Sequence, residues 1–485
     1  MKLAVVVQRY GADINGGAEL HARYIAERLS RHAAVEVVTT CARDYVTWKN
    51  ELPAGVEQVN GVRVRRFPVS HERTPHEFGR RSQRVFEHPH SIADELAWLE
   101  SEGPASPALV DYVERAAGAL DFVILFSYRY YHSWHLARRV PHKAVLVPTA
   151  ERDATIGLAI FGAVFRGVRA LMYNSPEERA MIQAASGNPS VPGVVVGVGS
   201  DVPDRADAER FRRKFKLRRP FALYLGRIDE NKGCGELFAH FRRYAAAFPR
   251  GMDLVLVGSA IMDVPKHPRI HHLGFLDDRD KFDALAASDL LVMPSYFESL
   301  SMVALEAWAL GRPVLANGRC DVLKGQCVRS NAGLYYENYE EFVEALYSLE
   351  SNGPLNARLG RNGREFFQRH YAWPVIERKY LEMFAQLKKD LPPEGGSHGS
   401  SSRDLPPEGG SHGGGSHGSD SVRSNSVASG FSRKGGMEPL PGWFARRKRD
   451  LPPAQDILAR IPTGPALDVP SAADPPRGGR YPRSA

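Results

Sequence analysis

The chain has 485 residues, 43% of them hydrophobic and 25% charged, which describes a globular protein long enough for two or three domains. Its net charge of +8 is mild for that length; it argues against a surface that wraps nucleic acid and fits one that handles phosphates in a cleft or rests weakly on an anionic membrane. No run approaches the roughly 18 apolar residues of a membrane span. The start, MKLAVVVQRYG, reads as a first strand and not as a signal peptide, so a cytoplasmic location is expected. Cys41, Cys234, Cys320 and Cys327 lack the C-x-x-C spacing of a zinc site or disulfide framework.

Residues 3–8 are apolar and β-branched, a glycine-rich turn holding Gly16 and Gly17 follows, and residues 18–31 have helical periodicity. With strands expected at 35–40 and 62–69, this βαβ opening predicts a parallel sheet. The glycines let the backbone approach a ligand, and the helix N-terminus behind them attracts anions. Residues 70–120 are polar and rich in His, Arg and Pro; they read as an irregular insertion with helical patches at 92–102 and 108–119. Strand-like runs recur at 121–126, 144–148, 170–174 and 193–196. His132 and His135 stand at i and i+3, but no third ligand is near, so packing is the better reading and no metal is expected.

The turn-rich residues 197–203 mark a hinge. A second α/β series then begins at Phe221, with strands at 252–258, 270–273, 290–293, near 314 and at 333–335, a helix at 280–287, and three helices at 339–349, 355–370 and 373–388. From 389 the composition shifts to Gly, Ser, Pro and His. DLPPEGGSHG stands at 390–399 and again at 404–413, and a disordered tail is expected to 485. From Lys388 onward there are fourteen Lys and Arg against ten Asp and Glu, so the tail carries half of the positive excess.

Two clusters carry chemistry. In DLLVMPSYFESLSMVALEAWALGRP, residues 289–313, a short strand stops at Pro294 and a helix follows, apolar from Met302 to Leu310 except at Glu306. An unpaired carboxylate in such a helix costs several kcal/mol, so Glu306 needs a partner. If 298 and 306 share one helix, eight residues rise about 12 Å and the pair Glu298 and Glu306 holds two ends of an extended ligand. The bland alternative makes Ser295 and Glu298 a capping box and pairs Glu306 with a core Arg. The second cluster is the loop after the strand at Phe221, where Gly226, Arg227, Lys232 and Gly233 can hold a diphosphate beside a helix N-terminus. At about 4 Å and an effective dielectric near 20, each cation–phosphate pair gains on the order of 4 kcal/mol before desolvation.

Three motifs resemble those of retaining glycosyltransferases of the GT-B fold, family 4: G-R-x4-K-G at 226–233, His272-Leu273-Gly274-Phe275, and E-x7-E at Glu298 and Glu306. The resemblance covers roughly residues 1–386. It implies an α/β fold of two Rossmann-like domains facing across a cleft: an acceptor domain at 1–199, a nucleotide-sugar domain at 200–372, and a crossover helix at 373–388 returning to the first domain, ahead of the tail at 389–485. It implies a nucleoside-diphosphate sugar as donor, a glycan or lipid-linked acceptor, no metal or other cofactor, and retention at the anomeric carbon. Carried over by position, Glu298 would accept hydroxyls of the donor sugar, and Glu306 those of the ribose. Arg227 and Lys232 would neutralise the diphosphate, which Gly16 and Gly17 would approach from the first domain. The backbone amides of Ser299, Leu300 and Ser301 would complete the sugar pocket beside Gly226.

One string departs from the family. Many relatives have T-A-H-D-E near the end of a first-domain strand, where this chain has Thr149-Ala150-Glu151-Arg152-Asp153. Glu151 stands in the His place and can still bond a donor hydroxyl, or it forms a local ion pair with Arg152. The departure keeps a nucleotide-sugar-binding relic in view, and the fold also hosts a UDP-hexosamine 2-epimerase, which needs no acceptor.

Overall fold

The computed structural model describes residues 1–14 and 16–389; the expected disordered tail and its repeats lie outside the described residues, apart from residue 389. Fourteen strands form two sheets. The first holds β1 (Lys2–Val6), β2 (Ala34–Thr40), β3 (Gly55–Val59), β4 (Val62–Phe67), β5 (Phe122–Phe126), β6 (Ala144–Val147), β7 (Ala170–Tyr173) and β8 (Gly193–Val195). The second holds β9 (Phe221–Leu225), β10 (Asp253–Val257), β11 (Ile270–His272), β12 (Leu290–Met293), β13 (Val314–Asn317) and β14 (Gly333–Tyr336).

The first sheet contains helices α1 (Gly17–Leu29), α2 (Pro75–Glu87), α3 (Ile92–Glu102), α4 (Pro107–Ala116), α5 (Tyr131–Arg139), α6 (Ala159–Gly167) and α7 (Pro176–Ser186) between its strands. Helices α8 (Ala208–Phe215), α9 (Cys234–Ala247), α10 (Asp278–Ala287), α11 (Met302–Ala309), α12 (Asp321–Ser330), α13 (Tyr339–Ser351), α14 (Gly353–His370) and α15 (Trp373–Lys389) follow in the second half.

Strand order in the first sheet is β3-β4-β2-β1-β5-β6-β7-β8, and in the second β11-β10-β9-β12-β13-β14. All pairings are parallel except β3 with β4. Each sheet therefore reverses direction of growth once, between β1 and β5 and between β9 and β12. At such a switch point the connections leave on opposite faces and open a crevice beyond the strand ends, where ligands bind in open α/β sheets. The central strands are buried on both faces, as the five fully buried residues of β5, β9 and β10 show.

Helix α15 packs against the first sheet although it follows the second. Phe384 stacks on Phe122 of β5 with ring centroids 5.0 Å apart, Lys388 pairs with Asp121 at 2.7 Å, and Arg169 donates to the Leu387 carbonyl. Its first residue, Trp373, lies against Gly199, donates its indole N–H to Asp201 at 2.7 Å and sits under the Arg28 guanidinium. A side chain at Gly199 would enter the Trp373 ring, which explains a glycine at the join between the sheets.

The differences from the sequence reading are local. The 70–120 segment is more regular than expected, because α2 forms between the expected strand and the first helical patch. Only Val85 of α2 is buried; Phe78 and Phe86 share its face and pack on Trp98 of α3, a short apolar face in an otherwise polar segment. Strand β3 was likewise not foreseen; it is exposed along most of its length at the sheet edge. Helix α12 stands where no element was expected.

Candidate active site

The loops leaving β9 and β12 meet at the second sheet's switch point. Gly226 follows β9 with φ at 152°, and the backbone of Gly258, the residue after β10, approaches it so closely that a Cβ on Gly258 would stand 1.9 Å from the Gly226 carbonyl. Gly258 in turn donates its N–H to the Gly274 carbonyl, and its own carbonyl accepts from His272 Nε2 at 2.9 Å. Thus the His272-Leu273-Gly274 motif shapes the strand ends beneath the loop.

After Gly226, Arg227 pairs with buried Asp229, whose other carboxylate oxygen accepts the backbone N–H of Lys232 at 2.7 Å. Gly233 then caps α9 with φ at 71°. A Cβ there would lie 2.1 Å from the Pro294 carbonyl. Glycine is required for two reasons, a left-handed backbone and close contact with the loop after β12.

That contact brings the two chemical clusters together. Lys232 Nζ donates to Glu298 Oε1 at 2.8 Å, with 31% and 11% of the two side chains exposed. Glu151, on the loop after β6 of the first sheet, lies within electrostatic reach of both. Burial first, and then the Glu298 charge, raises the Glu151 carboxyl above its ordinary range, while Lys232 draws it down. Burial lowers Lys232, but Glu298 and Glu151 outweigh it and leave the ammonium raised, hence protonated at neutral pH. Arg227 is also raised: burial lowers it and Asp229 more than compensates. The result is an acid–cation–acid group between the two sheets, with Arg227 exposed alongside.

Glu298 lies in the loop, not on the helix. Helix α11 begins at Met302 and is capped by Ser301, whose hydroxyl accepts the Ala304 N–H at 3.2 Å. The capping box of Ser295 with Glu298 is therefore not formed, and the estimate of a 12 Å rise does not apply. The buried Ser295 hydroxyl has no partner among the described residues. Nor do the backbone N–H groups of Ser299, Leu300 and Ser301 meet an acceptor among the described residues. Glu306 is buried on α11, and its partners are Lys281 at 3.2 Å and Ser200 at 2.8 Å instead of a core arginine. Both bonds go to Oε1.

In the first domain, Gly16 precedes α1 with extended backbone, and a Cβ on it would strike Glu19 Oε2 at 2.1 Å; Glu19 itself pairs with Arg9. Gly17 is exposed with open space around its Cα. His132 is fully buried and its imidazole is held neutral, burial lowering it to about 3. No group of three metal-ligating side chains occurs among the described residues. Arg152 pairs with Asp321 across the cleft at 2.8 Å, which replaces the local Glu151–Arg152 pair. A second bridge, Glu177 to Arg329, lies nearby. Between these bridges and Glu298 is a pocket partly open to solvent, lined from one side by Ala150, Glu178 and Met181 and from the other by Tyr296, Phe297 and Arg319. The bridges, the pocket and the Ser200 bond were not foreseen from the sequence, since each joins residues more than 100 positions apart.

Residues 206–366 match the family model described as glycosyl transferases group 1. That stretch holds the whole second sheet with Arg227, Lys232, Glu298 and Glu306. Among curated proteins, the chain is 29% identical over 177 residues to the lipopolysaccharide core biosynthesis glycosyltransferase LpsE of Rhizobium meliloti; the alignment takes in 34% of this chain and 50% of that relative. Among solved structures, sucrose-phosphate synthase from Thermosynechococcus elongatus superposes with a TM-score of 0.60 at 18% identity, covering 80% of this chain and all of that one. Anabaena HepE in complex with UDP-glucose gives 0.59, also at 18% identity, with 80% and 100% covered. The fold is GT-B: two Rossmann-like α/β sheets.

Proposed function

We propose that this protein is a retaining glycosyltransferase of family 4 that moves a hexose from a nucleoside-diphosphate sugar to an acceptor hydroxyl, in the assembly of a cell-surface polysaccharide or glycolipid. The observation that carries this reading is the Lys232–Glu298 bond at the β9–β12 switch point, with Arg227 beside it. A sugar diphosphate laid there sets its phosphates against Arg227 and Lys232, its sugar against Glu298 and the free amides of Ser299, Leu300 and Ser301, and its ribose against the second oxygen of Glu306. Gly16 and Gly17 face the phosphates from the first domain. The match to group 1 glycosyltransferases and the fold shared with a UDP-glucose complex support the same donor class.

In this reading the acceptor oxygen attacks the anomeric carbon from the face that the diphosphate leaves. The carbon–phosphate-oxygen bond breaks with its electron pair on the diphosphate, and the acceptor proton passes to that departing oxygen. Arg227 and Lys232 stabilise the developing charge, the largest contribution in reactions of this type, and Glu151 bonds a donor hydroxyl from across the cleft. The reading calls on no metal, and a chelator should leave turnover unchanged. An acceptor linked to a lipid would bring the protein to an anionic membrane surface.

A screen of nucleotide sugars for protection against heat tests donor binding, since a ligand at 100 times its dissociation constant stabilises by about 2.7 kcal/mol. Transfer to an acceptor panel follows with the donor that protects. Protection without transfer to any acceptor would instead favour the relic reading, which the Glu151 string motivates. A sugar epimer formed from donor alone would favour the 2-epimerase.

A further inference from the structure

Glu178 is a carboxylate where the fold has no evident need of one. It lies on the first turn of α7, 1% exposed, and no cation pairs with it among the described residues. An isolated buried carboxyl is costly, and an apolar or amide side chain would fill the same space more cheaply. What it holds is backbone. Oε1 accepts the N–H of Ala150 at 2.6 Å, and Oε2 accepts the N–H of Asn174 at 2.5 Å. The first belongs to the loop after β6, the second to the end of β7. One side chain therefore clamps two neighbouring strand ends at the cleft face of the first sheet.

The loop it clamps carries Glu151. Around that residue every neighbour is tied down. Thr149 turns the chain with φ at 49° and bonds the Ser127 hydroxyl at 2.7 Å. Arg152 reaches Asp321, while Asp153 caps the turn at Thr155 and pairs with Arg129. Glu151 itself makes no hydrogen bond or ion pair among the described residues and lies in the electrostatic field of Lys232 and Glu298.

We propose that Glu178 is a positioning residue, which fixes the Glu151 loop against the donor site by holding the Ala150 and Asn174 amides together. Its catalytic consequence rests on the glycosyltransferase reading; its structural part does not. The clamp needs two acceptor oxygens at full reach, so it is complete where the buried carboxyl is ionised, above pH 8, and both variants are compared with the parent there. Glu178→Gln turns one oxygen into a donor facing an N–H, and Glu178→Asp keeps the charge but is too short to span both amides, so the two variants should fail alike.

The test pairs hydrogen exchange with a double-mutant cycle in the full-length protein. In both variants, amide exchange over residues 149–153 should rise at least tenfold while exchange in β9 and β10 stays as in the parent. Transfer kcat should fall at least tenfold with the donor dissociation constant within twofold. In a Glu151→Gln background the same substitutions should lower kcat by less than twofold, because the residue being positioned is already gone. Unchanged exchange over 149–153 overturns the proposal, and so does a tenfold fall in kcat that persists without Glu151. Where no transfer can be measured, the exchange result decides the clamp alone. A parent protein that transfers nothing counts against the glycosyltransferase reading and not against the clamp.

Discussion

Replacing Lys232 by methionine, which keeps the length and removes the charge, is the perturbation that bears most directly on the site. At 2.8 Å and an effective dielectric near 20, the Lys232–Glu298 attraction is on the order of 6 kcal/mol before desolvation. Breaking a fully buried pair costs about 3–5 kcal/mol. With 31% of the lysine side chain in water, the loss of stability should be nearer 1–2 kcal/mol. The effect on catalysis should be larger. A donor aimed at the leaving oxygen is worth about 100- to 1,000-fold in kcat, and the variant retains Arg227 alone. A second consequence follows from Glu151, which Lys232 draws toward ionisation. Without the ammonium the Glu151 carboxyl climbs further, so the acidic limb of the pH–rate profile should move to higher pH. Nucleotide release from the donor found by thermal screening, followed from pH 5 to 9, reads both effects; calorimetry with the free nucleoside diphosphate reads binding. If kcat stays within threefold of the parent, the acidic limb does not move and nucleotide affinity is unchanged, Lys232 does not serve the diphosphate.

Three further outcomes are expected. Glu298→Gln should abolish transfer while leaving the circular dichroism spectrum and melting temperature within a few degrees of the parent; parental turnover would remove Glu298 from the site. Gly233→Ala should destabilise by about 1–3 kcal/mol for the left-handed backbone alone, with a further cost for displacing the Pro294 carbonyl, and should weaken donor binding because that displacement moves the loop bearing Glu298; chemical denaturation and donor titration measure the two. Glu178 should give stability a signature in pH. Burial raises its carboxyl to about 8, above its unfolded value near 4.5, with Glu151 and Tyr380 the titratable groups in its field. The folded state therefore binds this proton more tightly than the unfolded chain. The gain is fully present below pH 4.5 and is lost as pH rises to about 8, on the order of 5 kcal/mol at 1.36 kcal/mol per unit. The difference in unfolding free energy between the parent and Glu178→Gln should shift in favour of the variant across that window.

The two-domain α/β character, most strand positions and the chemical role of the loop after β9 follow from local sequence. Runs such as Leu290 to Met293 can bury only as central strands, and Gly226 and Gly233 flank a cationic loop at a strand end whatever the rest of the chain does. The helix around Glu306 was legible for a similar reason: a lone carboxylate in an apolar segment demands a partner. The identity of that partner was not. Lys281 and Ser200 reach Glu306 from α10 and from the join between the sheets, and no spacing rule connects them. Glu298 was misplaced onto a helix because S-x-x-E imitates a cap, whereas the chain stays an irregular loop up to Ser301. Helix α2 escaped notice because its apolar face is only Phe78, Val85 and Phe86 in a segment dominated by His, Arg and other polar residues. The meeting of Lys232, Glu298 and Glu151 is decided by tertiary structure alone, since it needs both switch points, the glycine contact at Pro294 and the first domain's loop held against the second. Local chemistry chose the residue types; the crossing of two sheets decided which of them could act on one ligand.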